Sequence, residues 1–359
     1  MPDSPPTPAV IDLAEQITPE WMTAALRHGG HDVTIAACRS ESVGTGQMAH
    51  NERVFVEYAG DSAGLPDTFV VKIPSPSEES RGAGASGAYR NETRFYLEIA
   101  DRLGCSIPAC HYAALSEDEA NFTLLLEDLA PKRQGDQIVG ATDAAIEAAV
   151  RNLAGLHAPM RGSADLDKIE WLASADGGEG FVAILGMAAP AFIERYRERL
   201  SDETIATLEG FAANVKNWID RTPGVATFVH GDYRLDNLMF EETSAGISVA
   251  AVDWQTLSIG CGGQDLAYLL GNSAPPDQRR AHEDHMLAVY REAMAERGAV
   301  LGADEVRAEY LYGTFQGPTI TMLGALAVGQ TDRGDDMFMA MISRSCAQII
   351  DTGALDLIA

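Results

Sequence analysis

The feature that most constrains this chain is the segment 228–240, which reads Phe-Val-His-Gly-Asp-Tyr-Arg-Leu-Asp-Asn-Leu-Met-Phe. It sets the polar residues His230, Asp232 and Asn237 between apolar ones. A second apolar run, Val-Ala-Ala-Val, leads into Asp253. Apolar flanks of this kind predict short buried strands with a polar side chain at the end of each. The fold must therefore bury both runs and still present these polar groups.

The polar side chains at the ends of the two runs are those that phosphoryl transfer requires. One carboxylate accepts or orients the proton of an attacking hydroxyl, while an amide oxygen and a second carboxylate hold Mg²⁺ on the phosphates. Mg²⁺ prefers oxygen ligands and is usually held by one or two side chains together with the phosphates. The pattern H-G-D-x-x-x-x-N, followed by an Asp at the end of a strand, thus predicts a phosphotransferase site.

Each of these residues, taken singly, has a plain structural interpretation. A single Asp in a turn is usually a cap or a turn former, and a His between Val and Gly is usually a core histidine with satisfied hydrogen bonds. The ordered set is much harder to obtain by chance, because the first pattern is followed by Asp253 and then by Asp265-Leu-Ala-Tyr268. We therefore interpret the set as one site.

The same set, with its V-D-W-Q and G-x-x-D-L-A-Y-L-L runs, resembles the aminoglycoside phosphotransferase and choline/ecdysteroid kinase-like superfamily. Members of this superfamily are relatives of the eukaryotic protein kinases that phosphorylate small molecules. The resemblance implies that Asp232 is the catalytic base and that Asn237 and Asp253 bind Mg²⁺. It also implies that Asp265 is a buried structural carboxylate. His230 would belong to the catalytic loop as a residue that fixes the loop rather than as a base.

The apolar pattern divides the chain into two parts. Residues 1–127 show strand-like runs and one helical pattern at 88–103, which predicts a mostly antiparallel sheet with one helix. The rest of the chain, 128–359, is largely helical in period. Together with the resemblance, which spans about residues 18–357, these patterns predict an α+β, bilobal protein-kinase-like fold. Its N-terminal lobe (1–127) would bind the nucleotide, and its mainly helical C-terminal lobe (128–359) would carry the catalytic loop and the substrate pocket.

Start signals and helical periods place the individual helices. Thr18-Pro19-Glu20 predicts a helix start, with Thr as the N-cap and Pro at the first helical position. Further helices are predicted at 141–157, 180–200, 201–221, 263–271, 277–297, 303–328 and 335–350.

The N-terminal part offers its own groups for a nucleotide. Gly44 and Gly46 lie in a predicted hairpin turn that would cover the phosphates. Lys72 ends a β-branched strand and is the only one of the four lysines that lies in this part of the chain. Its compact ammonium suits a contact with the α/β-phosphates. Glu92 matches the family's E-x-x-F-Y pattern, which implies an ion pair that positions Lys72, and Glu98 is the alternative partner.

The run 122–130 resembles the hinge of the family. The resemblance implies that adenine bonds backbone groups near Leu126, Glu127 and Asp128. It favours ATP as the phosphate donor, with GTP as the alternative. The apolar side chains expected against the adenine ring are Val54, Val70 and Leu125.

The charge of the chain excludes several kinds of partner. Its 359 residues include 53 acidic and 26 basic side chains, a formal net charge of −27. Binding to nucleic acid through its phosphates needs a basic surface, and anionic membranes are disfavoured for the same reason. The start of the sequence has no features of a signal peptide, and no stretch approaches the ~20 apolar residues of a membrane span. Five cysteines without a C-x-x-C pair favour a reducing, cytoplasmic compartment.

Differences from the protein kinases point to a small-molecule acceptor. Gly231 replaces the Arg of H-R-D, Trp254-Gln255 replaces F-G, and no A-P-E-like segment follows. We therefore expect no protein substrate. Gln255 favours the choline/ecdysteroid kinase-like branch over the antibiotic-modifying members, without excluding an aminoglycoside. The negative charge favours a neutral or cationic alcohol.

Two further functions are compatible with parts of the sequence. A kinase-like protein without turnover could bind a nucleotide or metabolite, although every catalytic position is filled. A hydrolase could use His230 and an Asp, with Cys261 between glycines as a candidate nucleophile, although no G-x-S-x-G elbow is present.

Overall fold

The computed structural model describes residues 7–44, 48–77, 81–82, 87–172 and 178–359. The chain forms two compact units. Unit 1 comprises Met1–Asp101, Ile107–Ala130 and Asp253–Thr256. Unit 2 comprises Arg102–Ser106, Pro131–Val252 and Leu257–Ala359.

Unit 1 is built on a five-stranded antiparallel sheet with the order β1-β2-β3-β5-β4. Its strands are β1 (Ile35–Val43), β2 (Ala49–Tyr58), β3 (Thr68–Pro74), β4 (Cys110–Leu115) and β5 (Phe122–Glu127). The central strands β3 and β5 are rich in Val, Ile, Phe and Leu, which pack well on a pleated surface.

Helix α1 (Pro19–His28) covers one face of this sheet. As predicted, it starts at Thr18, whose side-chain oxygen accepts a hydrogen bond from the Trp21 N–H at 3.2 Å. The apolar side of the helix, including Met22 and Leu26, packs on alternate residues of the strands. The apolar core of unit 1 is therefore a layer between α1 and the sheet.

The helix predicted at 88–103 is present but not uniform. It begins as α2 (Tyr89–Arg94), continues as a π-helical segment (Phe95–Ile99) and ends in a 3-10 turn (Ala100–Arg102). The Tyr89 ring stacks on Phe122 of β5 with 4.5 Å between the ring centroids. Local π-helical geometry is frequent near functional sites.

Unit 2 is mainly helical, as expected. Its longer helices are α3 (Asp143–His157), α4 (Gly178–Tyr196), α5 (Asp202–Ala213), α6 (Val215–Asp220), α7 (Gly263–Asn272), α8 (Pro276–Glu296), α9 (Ala303–Gly313), α10 (Gln316–Ala327) and α11 (Asp332–Thr352). Its short strands are β6 (Arg133–Gln134), β7 (Ala226–Val229), β8 (Leu238–Thr243), β9 (Gly246–Ala251) and β10 (Ser258–Cys261). They form the small antiparallel sheets β6-β8-β9 and β10-β7.

Two of the predicted helices are each divided into two shorter helices in the structure. The prediction at 201–221 is interrupted at Asn214, which has φ −120° and ψ 14° and donates from its side chain to the Gly210 carbonyl. The prediction at 303–328 is interrupted at Thr314, whose hydroxyl donates to the Leu311 carbonyl. Such local side-chain to backbone bonds compete with helix continuation, and periodicity does not reveal them.

The main apolar core of unit 2 is formed by helices α4, α5, α6, α9, α10 and α11. Buried aromatic residues dominate it, among them Phe192, Phe211, Trp218 and Phe315. Within the ranges described above, no helix is both long and apolar enough to cross a membrane.

Candidate active site

The segment 230–237 is a loop between strands β7 and β8. Gly231 has φ +83°, a left-handed conformation that favours glycine. The end of the loop is tied to the chain that leaves β9, because the Val252 N–H donates to the Asn237 carbonyl at 3.0 Å. The three loop residues singled out from the sequence therefore lie together in a fixed segment.

The Asp232 carboxylate is held by three side chains. The Tyr268 hydroxyl donates to Asp232 Oδ1 at 2.8 Å, and Asn237 Nδ2 donates to Oδ2 at 2.8 Å. Arg234 Nε lies 3.0 Å from Oδ1 and 3.2 Å from Oδ2. The carboxylate side chain remains 20% exposed. It is thus fixed in orientation and still open to a small group.

Arg234 and Tyr268 were not singled out as site residues from the sequence. Burial by itself lowers the pKa of Arg234, but the nearby charges, Asp232 first, outweigh burial and raise it above its usual value. Arg234 also pairs with Asp236 at 2.9 Å. The sequence signal for Arg234 was its place within H-G-D-x-x-x-x-N, two residues after Asp232. The sequence signal for Tyr268 was its position three residues after Asp265 in a predicted helix, which places both on the same side of that helix.

His230 is fully buried and uses both ring nitrogens inside the protein. Its Nδ1 accepts from the Asp232 N–H at 3.3 Å, and its Nε2 lies 3.1 Å from the Val252 carbonyl oxygen. A carbonyl oxygen accepts only, so Nε2 is the donor in this contact. This geometry supports a role in fixing the loop.

Asp265, on helix α7, holds the start of the same loop. Its Oδ2 accepts from the His230 N–H at 2.6 Å and its Oδ1 from the Gly231 N–H at 2.9 Å. The carboxylate is fully buried and also contacts His157 Nε2 at 3.2 Å. His157 in turn contacts the Tyr290 hydroxyl at 2.8 Å. A buried carboxylate is stable in such a place because several donors satisfy it.

A second group of candidate residues lies in unit 1. Lys72 Nζ is 2.6 Å from Glu92 Oε2 and 3.2 Å from Asp253 Oδ1. Lys72 and Glu92 are almost completely buried, whereas the Asp253 side chain is 38% exposed. Glu98, the alternative partner in the sequence, instead pairs with Arg94 at 2.9 Å.

Burial and charge act in opposite directions on this group. Burial by itself lowers the pKa of Lys72, but Asp253 and Glu92 outweigh burial and raise it. Burial raises the pKa of Glu92, which Lys72 partly opposes. The raised pKa favours the charged ammonium form of Lys72, and burial strengthens its electrostatic field on nearby groups.

Asp253 has φ +69°, which is rare for a residue other than glycine. Strained backbone of this kind concentrates at functional sites. The two residues that follow are fixed within unit 1. Trp254 stacks on Phe95 with 3.9 Å between ring centroids, and Gln255 Nε2 donates to Glu92 Oε2 at 3.3 Å. The V-D-W-Q motif thus places Asp253 and helps to place Glu92.

The strand register defines which residues share a face with Lys72. Opposed residues of antiparallel strands point to the same face, and so do residues two apart in one strand. Val70 therefore shares the face of Lys72, and so does Leu126, which opposes Val70. Val54 and Leu125 point to the other face, where they are fully buried beneath α1. The prediction that these two contact adenine is wrong, because alternation along each strand turns them away.

The segment predicted as the hinge follows directly from β5. Leu126 is nearly buried, and the Glu127 carboxylate accepts from the Ala109 N–H at 3.0 Å. The Asp128 carboxylate receives two bonds from Arg53 of β2, at 2.8 and 3.1 Å. This Arg–carboxylate fork fixes the end of the hinge strand against the sheet. The sequence did not indicate Arg53 as a site residue. Only the strand register shows that it opposes Val70 and so lies on the same face of the sheet as Lys72.

The predicted phosphate-covering turn is only partly described. Gly44 has φ +80°, as expected for a glycine in a tight turn. Gly46 lies outside the described residues.

Cys261, the candidate nucleophile of the hydrolase hypothesis, is buried and lies at the end of β10. Burial raises the pKa of its thiol. A thiol nucleophile needs exposure and a lowered pKa, so the structure argues against this role.

The two side chains predicted from the sequence as Mg²⁺ ligands, Asn237 in unit 2 and Asp253 in unit 1, are each described within their own unit. Asn237 Nδ2 is engaged by Asp232, which leaves its Oδ1 as the atom suited to a metal. Asp253 supplies a carboxylate that is partly exposed. In the part of the chain that the structure describes, no three His, Cys, Asp or Glu side chains group as a metal site. An amide oxygen and a carboxylate oxygen are each of the kind that Mg²⁺ binds.

Comparison with known families decides the relationship. The family model described as "Phosphotransferase enzyme family" matches residues 45–300. The chain belongs to this family. The match includes Lys72, Glu92, Asp232, Asn237 and Asp253, so both groups of candidate residues lie within the family's region. Comparison with curated proteins gives no match.

Solved structures resemble this member of the phosphotransferase family over most of their length. The ethanolamine kinase of Plasmodium vivax has a TM-score of 0.53 and 12% identity, over 90% of this chain and 87% of that chain. The GDP complex of wild-type aminoglycoside 2'-phosphotransferase-IIIa has a TM-score of 0.53 and 17% identity, over 92% and 99%. The gentamicin complex of APH(2")-IIa has a TM-score of 0.50 and 15% identity, over 94% and 97%. The predicted protein-kinase-like α+β fold class is confirmed.

Proposed function

We propose that this phosphotransferase moves the γ-phosphoryl group of Mg²⁺-bound ATP, with GTP as the alternative, to a hydroxyl group of a small molecule. The observation that carries the proposal is the contact of 2.8 Å between Asn237 Nδ2 and Asp232 Oδ2, one of the three side-chain contacts that hold the Asp232 carboxylate. This arrangement leaves one carboxylate for a hydroxyl proton and one amide oxygen for a metal.

Asp232 is proposed to orient the acceptor hydroxyl and to take its proton. The acceptor oxygen then bonds to the γ-phosphorus while the bond from this phosphorus to the β,γ-bridging oxygen breaks. Asn237 and Asp253 would hold Mg²⁺, which neutralises the phosphate charge. Most of the rate gain would come from positioning and charge stabilisation.

Lys72 is proposed to contact the α/β-phosphates, with Glu92 holding its ammonium in place. This pairing is supported by the 2.6 Å contact between the two side chains. Leu126, Glu127 and Asp128 would bind the purine through their backbone. Gly44 and Gly46 would cover the phosphates.

The acceptor is proposed to be a neutral or cationic alcohol. The net charge of −27 favours such a molecule in the encounter with the protein. The ethanolamine kinase and the complexes with gentamicin and kanamycin among similar structures support amino alcohols and aminoglycosides as first candidates. The choline/ecdysteroid kinase-like branch adds choline and sterols. Replacement of H-R-D by H-G-D supports an acceptor that is not a protein, and we keep the prediction of a cytoplasmic enzyme.

A panel assay tests the proposal. The purified chain is incubated with Mg-ATP or Mg-GTP and, in turn, ethanolamine, choline, kanamycin, sugars and sterols, and labelled phosphate on the acceptor is measured. Asp232→Asn should lower the rate at least ~100-fold while the protein stays folded, because an amide cannot take the proton. A wild-type chain that binds nucleotide but transfers phosphate to none of these acceptors or to water would support a silent binding protein instead.

A further inference from the structure

Helix α7 contacts the catalytic loop at two points that lie one turn apart. Asp265 accepts from the backbone N–H groups of His230 and Gly231, and Tyr268, three residues later, donates to the Asp232 carboxylate. Residues at i and i+3 project from the same side of a helix, so one rigid element reaches both the backbone and the side chain of the loop.

The donor from α7 differs from the other two donors to Asp232. Arg234 and Asn237 belong to the same loop as Asp232 and move with it. In the described part of the chain, Tyr268 is the only side chain from outside this loop that donates to the carboxylate. Its bond therefore ties the carboxylate to the scaffold rather than to the loop.

The chemistry of Tyr268 suits this role. The side chain is fully buried, and burial raises the pKa of Tyr268 well above its usual value, with the Asp232 charge acting in the same direction. The phenol therefore stays protonated and donates over the ordinary pH range. A hydrogen bond to an ionised acceptor is short and stronger than one between neutral groups.

We propose that Tyr268 is a positioning residue for phosphoryl transfer, which fixes the Asp232 carboxylate in the orientation that receives the acceptor hydroxyl. The inference rests on the proposed function of Asp232. It adds a residue that touches neither nucleotide nor metal and acts through Asp232 alone. Its loss should lower kcat and leave the nucleotide KM almost unchanged.

The test compares Tyr268→Phe with Tyr310→Phe. Both substitutions remove a buried phenol that donates to a carboxylate, since the Tyr310 hydroxyl bonds Glu283 in helix α8. Phosphate transfer from Mg-ATP to ethanolamine, choline, kanamycin and water is measured per nucleotide-binding site, together with the thermal midpoint. Both substitutions should lower the thermal unfolding midpoint by a similar amount. Only Tyr268→Phe should have a lower kcat, by about 10- to 100-fold. This is the range expected when one hydrogen bond to a charged group is lost.

The outcomes separate the inference from the proposed function. A Tyr268→Phe protein with kcat within twofold of the wild type, while Asp232→Asn is inactive, overturns the positioning role and keeps the function. An equal loss of kcat in Tyr310→Phe also overturns it, because general destabilisation would then explain the effect. An Asp232→Asn protein with full activity instead overturns the proposed function.

Discussion

Lys72 Nζ lies 2.6 Å from Glu92 Oε2, and both side chains are at least nine-tenths buried within unit 1. The pair joins strand β3 to helix α2, and Gln255 contacts the same carboxylate at 3.3 Å. A buried ion pair is weak evidence for net stability, because desolvation of both charges opposes their attraction. We therefore propose that the pair serves to hold the Lys72 ammonium in place rather than to stabilise the fold.

Removal of Lys72 should therefore affect stability and activity in separable ways. Lys72→Met leaves Glu92 buried without its cation and should lower the free energy of unfolding by about 3 kcal/mol or more. The double variant Lys72→Met, Glu92→Met should recover most of that loss, because no charge remains unpaired. Both proteins should transfer phosphate at least ~100-fold more slowly than the wild type. Urea unfolding and initial rates measure the two effects, and a double variant that regains activity would contradict the role of Lys72.

Asp253, which we propose as a Mg²⁺ ligand, has a left-handed backbone at φ +69°. Asp253→Asn should keep the stability of the wild type, because Asn tolerates this conformation. Asp253→Ala should lower the free energy of unfolding by about 1–2 kcal/mol, because Ala does not. Both variants should be at least ~100-fold slower, and Asp253→Asn should need more Mg²⁺ for half-maximal rate. Titration of the rate with MgCl₂ measures this. Normal Mg-nucleotide turnover by Asp253→Ala would remove the metal assignment.

Arg53 anchors the hinge through Asp128, whose carboxylate is almost fully buried. Arg53→Met should lower the free energy of unfolding by about 1.5–3 kcal/mol, the range for hydrogen bonds to a charged group. It should also raise the nucleotide KM severalfold, because the hinge loses its tie to β2. Arg39→Met is the control, since Arg39 lies on β1 and is largely exposed. If both variants have the wild-type KM, the Arg53–Asp128 pair plays no part in nucleotide binding.

Buried thiols should make the protein less stable in alkali. Cys346 is buried, and burial raises the pKa of its thiol above the ordinary value of 9.0. The unfolded chain then releases this proton at a lower pH than the folded one, so stability is full below about pH 9 and falls as pH rises further. Between pH 7.5 and pH 10, the free energy of unfolding should fall by about 1–2 kcal/mol less in Cys346→Ala than in the wild type. Urea unfolding at both pH values measures it, and equal declines in the two proteins would contradict the assignment.

The local elements and the ordered motif could be predicted from the sequence. Thr18-Pro19 determines where α1 starts, because the cap and the fixed φ of proline act within a few residues. The apolar runs around His230 and Asp253 likewise specify where short strands end. Those signals depend on neighbours in the chain, so the sequence contains all that is needed to find them.

Only the tertiary structure decided which distant side chains meet. The choice of Glu92 over Glu98 for Lys72 depends on how α2 lies on the sheet, and both acids sit on the same helical segment. The exclusion of Val54 and Leu125 from the Lys72 face depends on strand register, which long-range pairing sets. Tyr268 reaches Asp232 only because α7 packs against the loop 230–237. Contacts of this kind follow from packing between elements far apart in sequence. The spacing of three places Tyr268 on the same side of its helix as Asp265, but it does not show that Tyr268 reaches Asp232.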